Sequence, residues 1–562
     1  MKDVIISLLK KEVKLKEKEI EQLMETPPSE ELGDYAFPCF VFAKTMKRNP
    51  LDIAKDLKSR IEKKLPKEIE KLEAKGPYLN FFTNKKILAE SIIEKIDKNF
   101  GSSSIGKGKK IIIDFSGPNI GKPMHIGHIR STILGDSFLR IYNFLGYNAI
   151  GINYLGDIGL HMGKLIVAYE LWLDKEALKK DPVKELLRLY IKFCEKENVE
   201  YNEELEEEFQ DNEWTNKAKE KLKLLELGEE KTHKIWHEIT KYSRTGFDKI
   251  YKILNINFHE TTGQSMFSEK GKKIISEALK KRGARIEEDG AVYVEFPDLP
   301  KKYILRSNQT ASYITQDIGA AVERYKKYKF DKMIYVTDFR QELHFRHLFA
   351  TLKKFGYEFS NKLFHVAFGT INFGNEIMAT RKGKVIILED VLKKTIEKAE
   401  KEIKKRKSKG NAEKIGVGAI KYSFLKNEPV KDVNFSWEQA LNFEGNTGPY
   451  LHYSYARASS IIKKSKKKTS EFKIKNLHKN EIKLLKSLTE FPETVENSSK
   501  NLNPALIANY SFELSQIFNE FYHYCPVIGS EEEQQRLAFV QAFRHVLKNS
   551  MYLLGIEVME EM

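Results

Sequence analysis

Two histidines three positions apart, His125 and His128, are the sharpest chemical signal in the sequence. They enclose Gly127 in a loop that follows an apolar run at 109–115 and precedes a helical pattern. Imidazoles at a helix N-terminus can donate hydrogen bonds to phosphate oxygens that gain charge during attack at phosphorus, and glycine lets a nucleotide approach the backbone. The alternatives are a zinc pair or two structural histidines, but no cysteine or carboxylate stands at ligand spacing. The pattern favours a nucleotide site.

A second signal is the basic, glycine-ended stretch 378–383, in which Arg381 and Lys382 stand side by side. It comes shortly after another apolar run, at 363–368. Flexible cations in such a place can follow the charge of a departing pyrophosphate. Taken alone, a stretch of this kind is more often a solvated hairpin. Its interpretation therefore depends on its surroundings.

The elements that would position these residues form a βαβ unit. The apolar run at 109–115 is typical of a buried parallel strand, apolar residues between Ile129 and Leu145 recur every three or four positions, and 149–154 predicts a second strand. Further strand candidates at 333–337 and 363–368 extend the pattern. We therefore predict a Rossmann-type parallel sheet, which binds ligands beyond the carboxyl ends of its strands.

Around this unit the sequence divides into three predicted domains. Residues 1–105 form a small α/β unit with a strand at 76–82 and a Gly/Ser-rich linker at its end. Residues 106–445 form the α/β sheet domain, with a charged helical insertion at about 165–300, and 446–562 are helical throughout. The predicted fold class is α/β: a Rossmann-type parallel-sheet domain between an N-terminal α/β domain and a C-terminal all-α domain.

Composition excludes several classes of protein. No apolar run among the 562 residues approaches the roughly 18 needed to span a membrane, and the first apolar cluster is too short for a signal peptide. Three widely spaced cysteines exclude a disulfide framework or a Cys-only zinc site and suit a reducing cytosol. The net charge, 96 − 80 = +16, favours a polyanionic partner such as nucleic acid, although an AT-rich genome's lysine usage would produce it too.

Together the two signals resemble the paired signature motifs of class I aminoacyl-tRNA synthetases, and their flanks resemble those of arginyl-tRNA synthetases. The N-terminal segments 33–35 and 76–80 resemble the domain that this family adds ahead of its catalytic core. The resemblance spans nearly the whole chain. The segments that match the family's motifs in order are 116–132, 153–159, 313–319, 341–345, 444–451 and 554–562.

This resemblance implies an arginine–tRNA ligase that works in two steps. ATP activates L-arginine to arginyl-adenylate with release of pyrophosphate, and the arginyl group then passes to the 3′ end of tRNA(Arg) in protein synthesis. ATP would enter with Mg2+ as a substrate complex, no zinc is expected, and such enzymes generally need tRNA before they activate arginine. We expect a monomeric, cytoplasmic enzyme whose partners are tRNA(Arg), L-arginine and ATP, with no membrane partner.

The second signature departs from the family pattern. Ile377 and Thr380 stand where the family or its class I relatives usually carry lysines. In arginyl enzymes that lack the second lysine, the lysine ahead of the first signature is thought to substitute, and here that residue is Lys122. The resemblance thus makes Lys122 the principal cation. It implies catalytic roles for Lys122, His125, His128, Arg381 and Lys382, and ATP binding by His125, Gly127, His128, Met378 and Lys382.

Recognition of arginine needs carboxylates and carbonyls around a planar cation. Asp114 departs from the family, where glutamate is commoner, and keeps the charge with a shorter reach; Asp317 is the expected guanidinium partner. A pocket of two carboxylates would reject neutral citrulline because both would stay buried and unpaired, and lysine lacks the bidentate fork. The positions that match the family's arginine site are Asp114, Asn119, Tyr313, Asp317 and Gln341.

The tRNA contacts implied by the resemblance lie at both ends of the chain. The N-terminal pair would touch the tRNA elbow, where an aromatic ring can stack on an unpaired base and an amide can read its edge. The C-terminal group would lie near the anticodon loop, although an aromatic stripe at helical spacing is more often core. The lysine run 463–468 is either a phosphate contact or a solvated loop. The expected tRNA-binding residues are Tyr78, Asn80, Tyr450, Tyr453, Arg457 and Met562.

Two other functions stay open at this point. A class I ligase for another amino acid would need a different pocket, and a cysteinyl enzyme would want zinc-binding cysteines that the sequence lacks. A non-catalytic paralogue that only binds tRNA would be expected to have a damaged active site. The altered second signature is the only damage of this kind in the sequence. Arginine-dependent ATP–pyrophosphate exchange, run with tRNA, separates the ligase from the binder.

Overall fold

The computed structural model describes residues 2–197, 212–372, 386–467 and 472–562. They divide into two compact units. The first comprises Met1–Phe100, Ile461–Glu490 and Gln516–Val546, and the second comprises Gly101–Ser460, Phe491–Ser515 and Leu547–Met562. Within the described ranges, no helix combines the length and apolar character that crossing a bilayer requires.

The strands of the described residues form four sheets, one of them entirely parallel with five strands. Helices account for most of the remaining regular structure. The strands are β1 (Tyr35–Pro38), β2 (Ile69–Lys75), β3 (Tyr78–Thr83), β4 (Lys110–Asp114), β5 (Asn148–Leu155), β6 (Glu260–Gly263), β7 (Arg285–Ile286), β8 (Val292–Val294), β9 (Lys302–Leu305), β10 (Lys332–Asp338), β11 (Leu363–Phe368), β12 (Ile371–Asn372) and β13 (Val433–Asn434).

The α-helices, in chain order, are α1 (Lys2–Glu12), α2 (Glu17–Leu23), α3 (Ala43–Met46), α4 (Pro50–Glu62), α5 (Lys85–Lys95), α6 (Ile126–Phe144), α7 (Leu160–Trp172), α8 (Lys175–Lys180), α9 (Pro182–Glu197), α10 (Glu213–Glu226), α11 (Glu230–Ile253), α12 (Ser268–Lys280), α13 (Tyr313–Tyr328), α14 (Glu342–Lys354), α15 (Leu388–Arg406), α16 (Ala412–Leu425), α17 (Trp437–Ala440), α18 (Gly448–Lys464), α19 (Lys479–Thr489), α20 (Phe491–Lys500), α21 (Ala505–Tyr524) and α22 (Glu533–Leu553). The predicted helical character beyond 445 is confirmed, since α18–α22 occupy most of that stretch.

The first unit contains a three-stranded antiparallel sheet in the order β1-β3-β2. The strand predicted at 76–82 is confirmed as β3. Helix α4 packs against β2 and β3, and it begins after Asn49, whose side chain accepts a hydrogen bond from the Leu51 amide at 3.0 Å. Strand β1 was not predicted, because four residues that end in a proline carry too little pattern to identify a strand.

The second unit is built on the parallel sheet, in the order β11-β10-β4-β5-β6. Strand β4 lies in the middle because Ile111, Ile112 and Ile113 are apolar on both faces and are almost completely buried. The predicted Rossmann-type sheet is confirmed. Since β5 lies on one side of β4 and β10 on the other, the chain reverses its direction of strand addition here, which opens a crevice at the carboxyl ends of these strands.

Helix α6 follows β4 and packs against β4, β5 and β10. Its close approach to the sheet requires Gly135, where an added Cβ would lie 2.1 Å from the ring of Phe115. Near its C-terminal half, the Ser137 hydroxyl donates a hydrogen bond to the Leu553 carbonyl at 2.8 Å. The Lys421 ammonium, which is completely buried, donates to the Gly555 carbonyl at 2.7 Å. The last residue of α22 is thus hydrogen-bonded to α6, and the segment after α22 is hydrogen-bonded to α16.

The stretch 165–300, expected to be a helical insertion, contains strands as well as helices. Helices α7–α12 lie there, but β6 joins the main sheet by pairing with β5, and β7–β9 form a small antiparallel sheet. The strand β6 reads Glu-Thr-Thr-Gly and is too short and polar to show a strand pattern, so its place depends on pairing with β5. The acidic stretch at 203–208 lies outside the described residues.

Candidate active site

His125 and His128 stand at the first turn of α6 and fix each other's orientation. The Nδ1 atom of His125 accepts a hydrogen bond from the Gly127 amide, and the Nδ1 atom of His128 accepts one from the His125 amide, both at 3.1 Å. The ring centroids are 3.9 Å apart. Because both Nδ1 atoms accept, each neutral ring carries its proton on Nε2, which is then the donor available to a phosphate oxygen.

Both imidazoles are uncharged at neutral pH. Burial lowers the pKa of His125 to about 4, helped by the nearby charges of Lys122 and Arg340. Burial also lowers the pKa of His128 well below its usual value, with a further contribution from His125. The pair can therefore donate two hydrogen bonds without bringing positive charge of its own.

The chain that follows the second signature returns to the first. The Ile126 amide donates to the Ile386 carbonyl at 3.1 Å, and the Leu388 amide donates to the Met124 carbonyl at 2.9 Å. These bonds hold 386–388 beside the histidine pair. The second signature itself, with Ile377, Met378, Thr380, Arg381 and Lys382, lies outside the described residues.

Arg130 is a residue of this site that the sequence reasoning missed. Its side chain is completely buried and donates hydrogen bonds to the carbonyls of Gly369 (2.8 Å) and Glu428 (3.1 Å). These carbonyls flank β12 and β13, which pair in parallel. Burial lowers the pKa of Arg130 to about 10, so it stays charged at neutral pH. An arginine on the otherwise apolar face of α6 was the available signal.

Lys122 lies in the loop before α6 and is held by the inserted helices. Its ammonium lies 4.2 Å from the centroid of the Tyr190 ring on α9, a cation–π contact. The neighbouring Gly121 amide donates to the Ser243 hydroxyl on α11 at 2.9 Å. Gly121 adopts a φ of +83°, which only glycine takes without strain, and an added Cβ would lie 2.2 Å from Leu165. The insertion thus positions Lys122, a role that no sequence pattern indicated.

Asn119 connects the loop after β4 to the end of β5. It bridges to Gly156, whose amide donates to the Pro118 carbonyl at 3.2 Å. An added Cβ on Gly156 would lie 2.0 Å from the Oδ1 atom of Asn119. Asn119 is nevertheless exposed, so its amide is accessible at the crevice.

The two predicted acids occupy different environments. Asp114 ends β4 and is 8% exposed, and its Oδ2 atom accepts a hydrogen bond from Arg324 at 2.7 Å. Asp317 lies on the first turns of α13, and its Oδ2 atom is 2.7 Å from Nε2 of His344 on α14. Asp317 and Arg324 are close enough to Asp114 to shift its pKa. The two acids therefore lie in one neighbourhood, although Arg324 and His344 were not anticipated.

Tyr313 and Gln341 stand at the starts of α13 and α14. Tyr313 is 41% exposed, and its hydroxyl lies 3.5 Å from the position of an added Cβ on Gly159. Gln341 is exposed and immediately precedes α14. The motifs at 153–159 and 313–319, far apart in sequence, thus meet at this site.

The predicted tRNA-binding residues show mixed exposure. In the first unit, the ring of Tyr78 packs edge-on against the exposed Phe40 at 5.8 Å, whereas Asn80 is only 4% exposed. On α18, Arg457 lies over the exposed ring of Tyr453 at 4.5 Å and donates to its hydroxyl.

Two more predicted tRNA-binding residues complete the set. Tyr450 packs against Phe512 at a centroid distance of 5.4 Å. Met562 is partly exposed. Tyr453 and Arg457 are therefore the better placed of the helical set for an external contact.

The three cysteines form no disulfide. Among the residues that the structure describes, no group of three or more His, Cys, Asp or Glu side chains could hold a metal ion.

Three family models together match most of the chain. They are "tRNA synthetases class I (R), catalytic domain" over residues 91–437, "Arginyl tRNA synthetase N terminal domain" over 1–83 and "DALR anticodon binding domain" over 451–562. Among relatives, an arginine–tRNA ligase of Clostridium botulinum (strain Loch Maree / Type A3) is 39% identical over 575 residues and covers 100% of both chains. One of Clostridium kluyveri is 39% identical, covering 99% of this chain and 98% of its own.

Solved structures agree with these matches. The arginyl-tRNA synthetase of Plasmodium falciparum has a TM-score of 0.74 at 25% identity, covering 96% of this chain and 94% of its own. The fold is also that of the Thermus thermophilus arginyl-tRNA synthetase, with a TM-score of 0.75 at 24% identity and 96% coverage of both chains.

Proposed function

We propose, from the premise that this chain belongs to the arginyl-tRNA synthetase family, that its histidine pair binds the phosphates of ATP beside a pocket for arginine. The chain is an arginine–tRNA ligase, a class I enzyme that uses ATP to attach arginine to tRNA(Arg) in protein synthesis. The observation that supports the proposed site most strongly is the mutual fixing of His125 and His128, which leaves Nε2–H of each ring available as a donor.

In the proposed first step, an oxygen of arginine's carboxylate bonds to the α-phosphorus of ATP, and the bond from that phosphorus to the bridging oxygen breaks. Pyrophosphate leaves with the electron pair, and no proton is transferred. Nε2–H of His125 and His128 donates to oxygens that gain charge at the five-coordinate phosphorus. Mg2+ enters as part of the ATP substrate complex and neutralises charge on the departing phosphates.

Cations complete the phosphate site. Lys122 is the principal one, and the Tyr190 ring and the inserted helices hold its ammonium near the histidines. Arg381 and Lys382 of the second signature assist, and Gly127 and Met378 complete the ATP contacts. In the second step the oxygen of a ribose hydroxyl at the tRNA 3′ end bonds to the activated carbonyl carbon. The bond from that carbon to the phosphate oxygen breaks, AMP leaves with the electron pair, and the hydroxyl proton passes to the AMP phosphate.

Arginine binds with its guanidinium toward Asp317, a carboxylate whose orientation is fixed by His344. Tyr313, Gln341 and Asn119 line the opening, and Asp114 contributes negative charge at the end of β4. Burial raises the pKa of Asp114 while the nearby Arg324 opposes that rise. A neutral citrulline would leave the Asp317 carboxylate unbalanced and is therefore expected to be rejected.

The two ends of the chain bind tRNA. Tyr78 and Asn80 contact the elbow from the domain at 1–105, and Tyr450, Tyr453, Arg457 and Met562 contact the anticodon loop from the domain at 446–562, flanking the catalytic domain at 106–445. The net charge of +16 supports a polyanionic partner. The enzyme acts as a monomer in the cytoplasm, where free cysteines persist.

The test is arginine-dependent ATP–pyrophosphate exchange in the presence of tRNA. His125→Ala and His128→Ala should each lower kcat by about 10²–10³-fold, the usual loss for a donor to developing charge. His523→Ala, at an exposed histidine of the first unit, is the matched control and should leave kcat unchanged. Wild-type rates in both histidine variants would overturn the proposed site. If the wild-type chain shows no exchange even with tRNA present, tRNA binding is the only proposed function that remains.

A further inference from the structure

Arg324 is a buried cation directly behind the proposed arginine pocket. It follows Asp317 by seven residues on α13, so both lie on the same face of that helix. One guanidinium nitrogen donates to Asp114 at 2.7 Å, and the side chains of the two residues are 4% and 11% exposed. The charged group of Arg324 is therefore held inside the protein by the Asp114 carboxylate, with the Tyr335 hydroxyl as a further polar neighbour.

The rest of the guanidinium faces aromatic rings. Its central carbon lies 4.6 Å from the centroid of the Tyr154 ring and 6.0 Å from that of Phe267. Among the described residues, Nε and Nη2 of Arg324 and the buried Tyr154 hydroxyl make no hydrogen bond of ordinary geometry. The Tyr335 hydroxyl lies close enough to Arg324 to interact with it. A side chain kept only for packing would not need a charge with two unmatched nitrogens at this depth.

The charges that meet here are unequal in number. Asp114, Asp157 and Asp317 all act electrostatically on Tyr154, whereas Arg324 is the cation that acts on it. Burial raises the pKa of Asp114, and Arg324 is what counters that rise. Without Arg324, Asp114 would tend to take up a proton, so both charges of the pair would disappear and the carboxylate at the end of β4 would lose the partner that orients it.

We propose that Arg324 is a positioning residue for amino-acid recognition: it holds the Asp114 carboxylate ionised and in place at the end of β4, next to the pocket in which Asp317 meets the incoming guanidinium. Arg324 itself does not touch the substrate. An internal guanidinium thus balances one carboxylate and leaves the other for the guanidinium of arginine. This inference rests on the proposed arginine pocket.

Arg324→Met should raise the KM for arginine by about 30-fold or more in tRNA-supported pyrophosphate exchange, the usual loss when one partner of a buried charge pair is removed. The KM for ATP should stay within about twofold of the wild-type value, because contacts other than Arg324 hold the two histidines in place. Arg536→Met, which breaks another largely buried ion pair in the first unit, is the matched control and should leave the KM for arginine unchanged. An unchanged KM in folded Arg324→Met overturns the proposal, as does an equal rise for ATP.

A double variant covers the case in which Arg324→Met does not fold. Asp114→Asn with Arg324→Met removes both charges, so no unpaired ion stays buried. If Arg324 acts by positioning the Asp114 carboxylate, the KM for arginine stays high in this variant, because that carboxylate is absent as well. If the pair only holds the fold together, the KM returns to within about twofold of the wild type, and the proposal fails.

Chemical rescue gives a second readout. Millimolar guanidinium chloride added to Arg324→Ala should lower the KM for arginine by refilling the vacated position, while in the wild type it should only compete with arginine. Absence of this reversal overturns the proposal. The two hypotheses can fail separately. If the wild type shows exchange and Asp317→Asn raises the KM for arginine, but no Arg324 variant changes that KM, the proposed function stands and this inference alone fails.

Discussion

Asp317→Asn tests the arginine pocket most directly, because it removes a charge and preserves shape. The Asp317 side chain is 14% exposed and bonded to His344. Two unit charges 4 Å apart interact by about 4 kcal/mol at an effective dielectric constant of 20, and by about 1 kcal/mol in bulk water. The low exposure places this site nearer the first value. An asparagine keeps one neutral hydrogen bond worth about 1 kcal/mol.

The expected net loss is therefore about 2–3 kcal/mol, or roughly 30- to 150-fold in kcat/KM for arginine. The guanidinium is remote from the reacting carboxylate, so the loss should appear mainly as a higher KM, with kcat changed less than about tenfold. The same variant should discriminate less strongly against citrulline, because the unbalanced carboxylate that rejects it is gone.

Arginine-dependent pyrophosphate exchange at saturating ATP and tRNA measures both constants. Asp298→Asn, at an exposed aspartate of the same unit, makes the same charge change away from the pocket and is the control. If the KM for arginine in Asp317→Asn stays within about twofold of the wild-type value, Asp317 does not bind the guanidinium, and the assignment of the arginine pocket is wrong.

Lys122→Ala should lower kcat for exchange about 10²-fold with little change in the KM for arginine; a full effect from Lys382→Ala with none from Lys122→Ala would reverse the assignment. Tyr190→Leu should lower kcat about three- to tenfold by removing the ring beneath the Lys122 ammonium, and Tyr190→Phe should not; equal rates in these two variants would rule out a role for the ring. Burial lowers the pKa of His452 to about 4, below its value of 6.5 when unfolded, so unfolding takes up a proton and stability should fall as pH drops from about 6.5 towards 4. Urea titrations should show a shallower fall in His452→Gln, and identical pH profiles would contradict this.

The local hydrophobic pattern was enough to predict those parts of the fold whose elements follow one another directly in the sequence. The β4–α6–β5 unit was recognisable because Ile111–Ile113 form an unbroken apolar run and α6 repeats apolar residues at helical spacing. The histidine pair was found for the same reason, since its hydrogen bonds span only two or three residues. Strand β6 was not predicted, because its polar residues adopt strand geometry only through pairing with β5.

The partners of the site residues were beyond prediction because they come from distant segments. Arg324 and Asp114 are 210 residues apart, and Arg130 reaches a carbonyl 298 residues away. Nothing in the spacing around Lys122 indicated Tyr190 on an inserted helix. A sequence pattern predicts whether a residue faces the core or the solvent. The residue from a distant segment that it contacts is known only from the folded structure.

The hydrogen bond from Ser137 to the Leu553 carbonyl joins positions 416 residues apart. At a synthesis rate of about 5–20 residues per second, the ribosome completes Leu553 roughly 20–80 s after Ser137. During that interval α6, which begins at the histidine pair, lacks its hydrogen bond to the last residue of α22. A nascent chain therefore carries both histidines before the helix that follows them has gained this hydrogen bond.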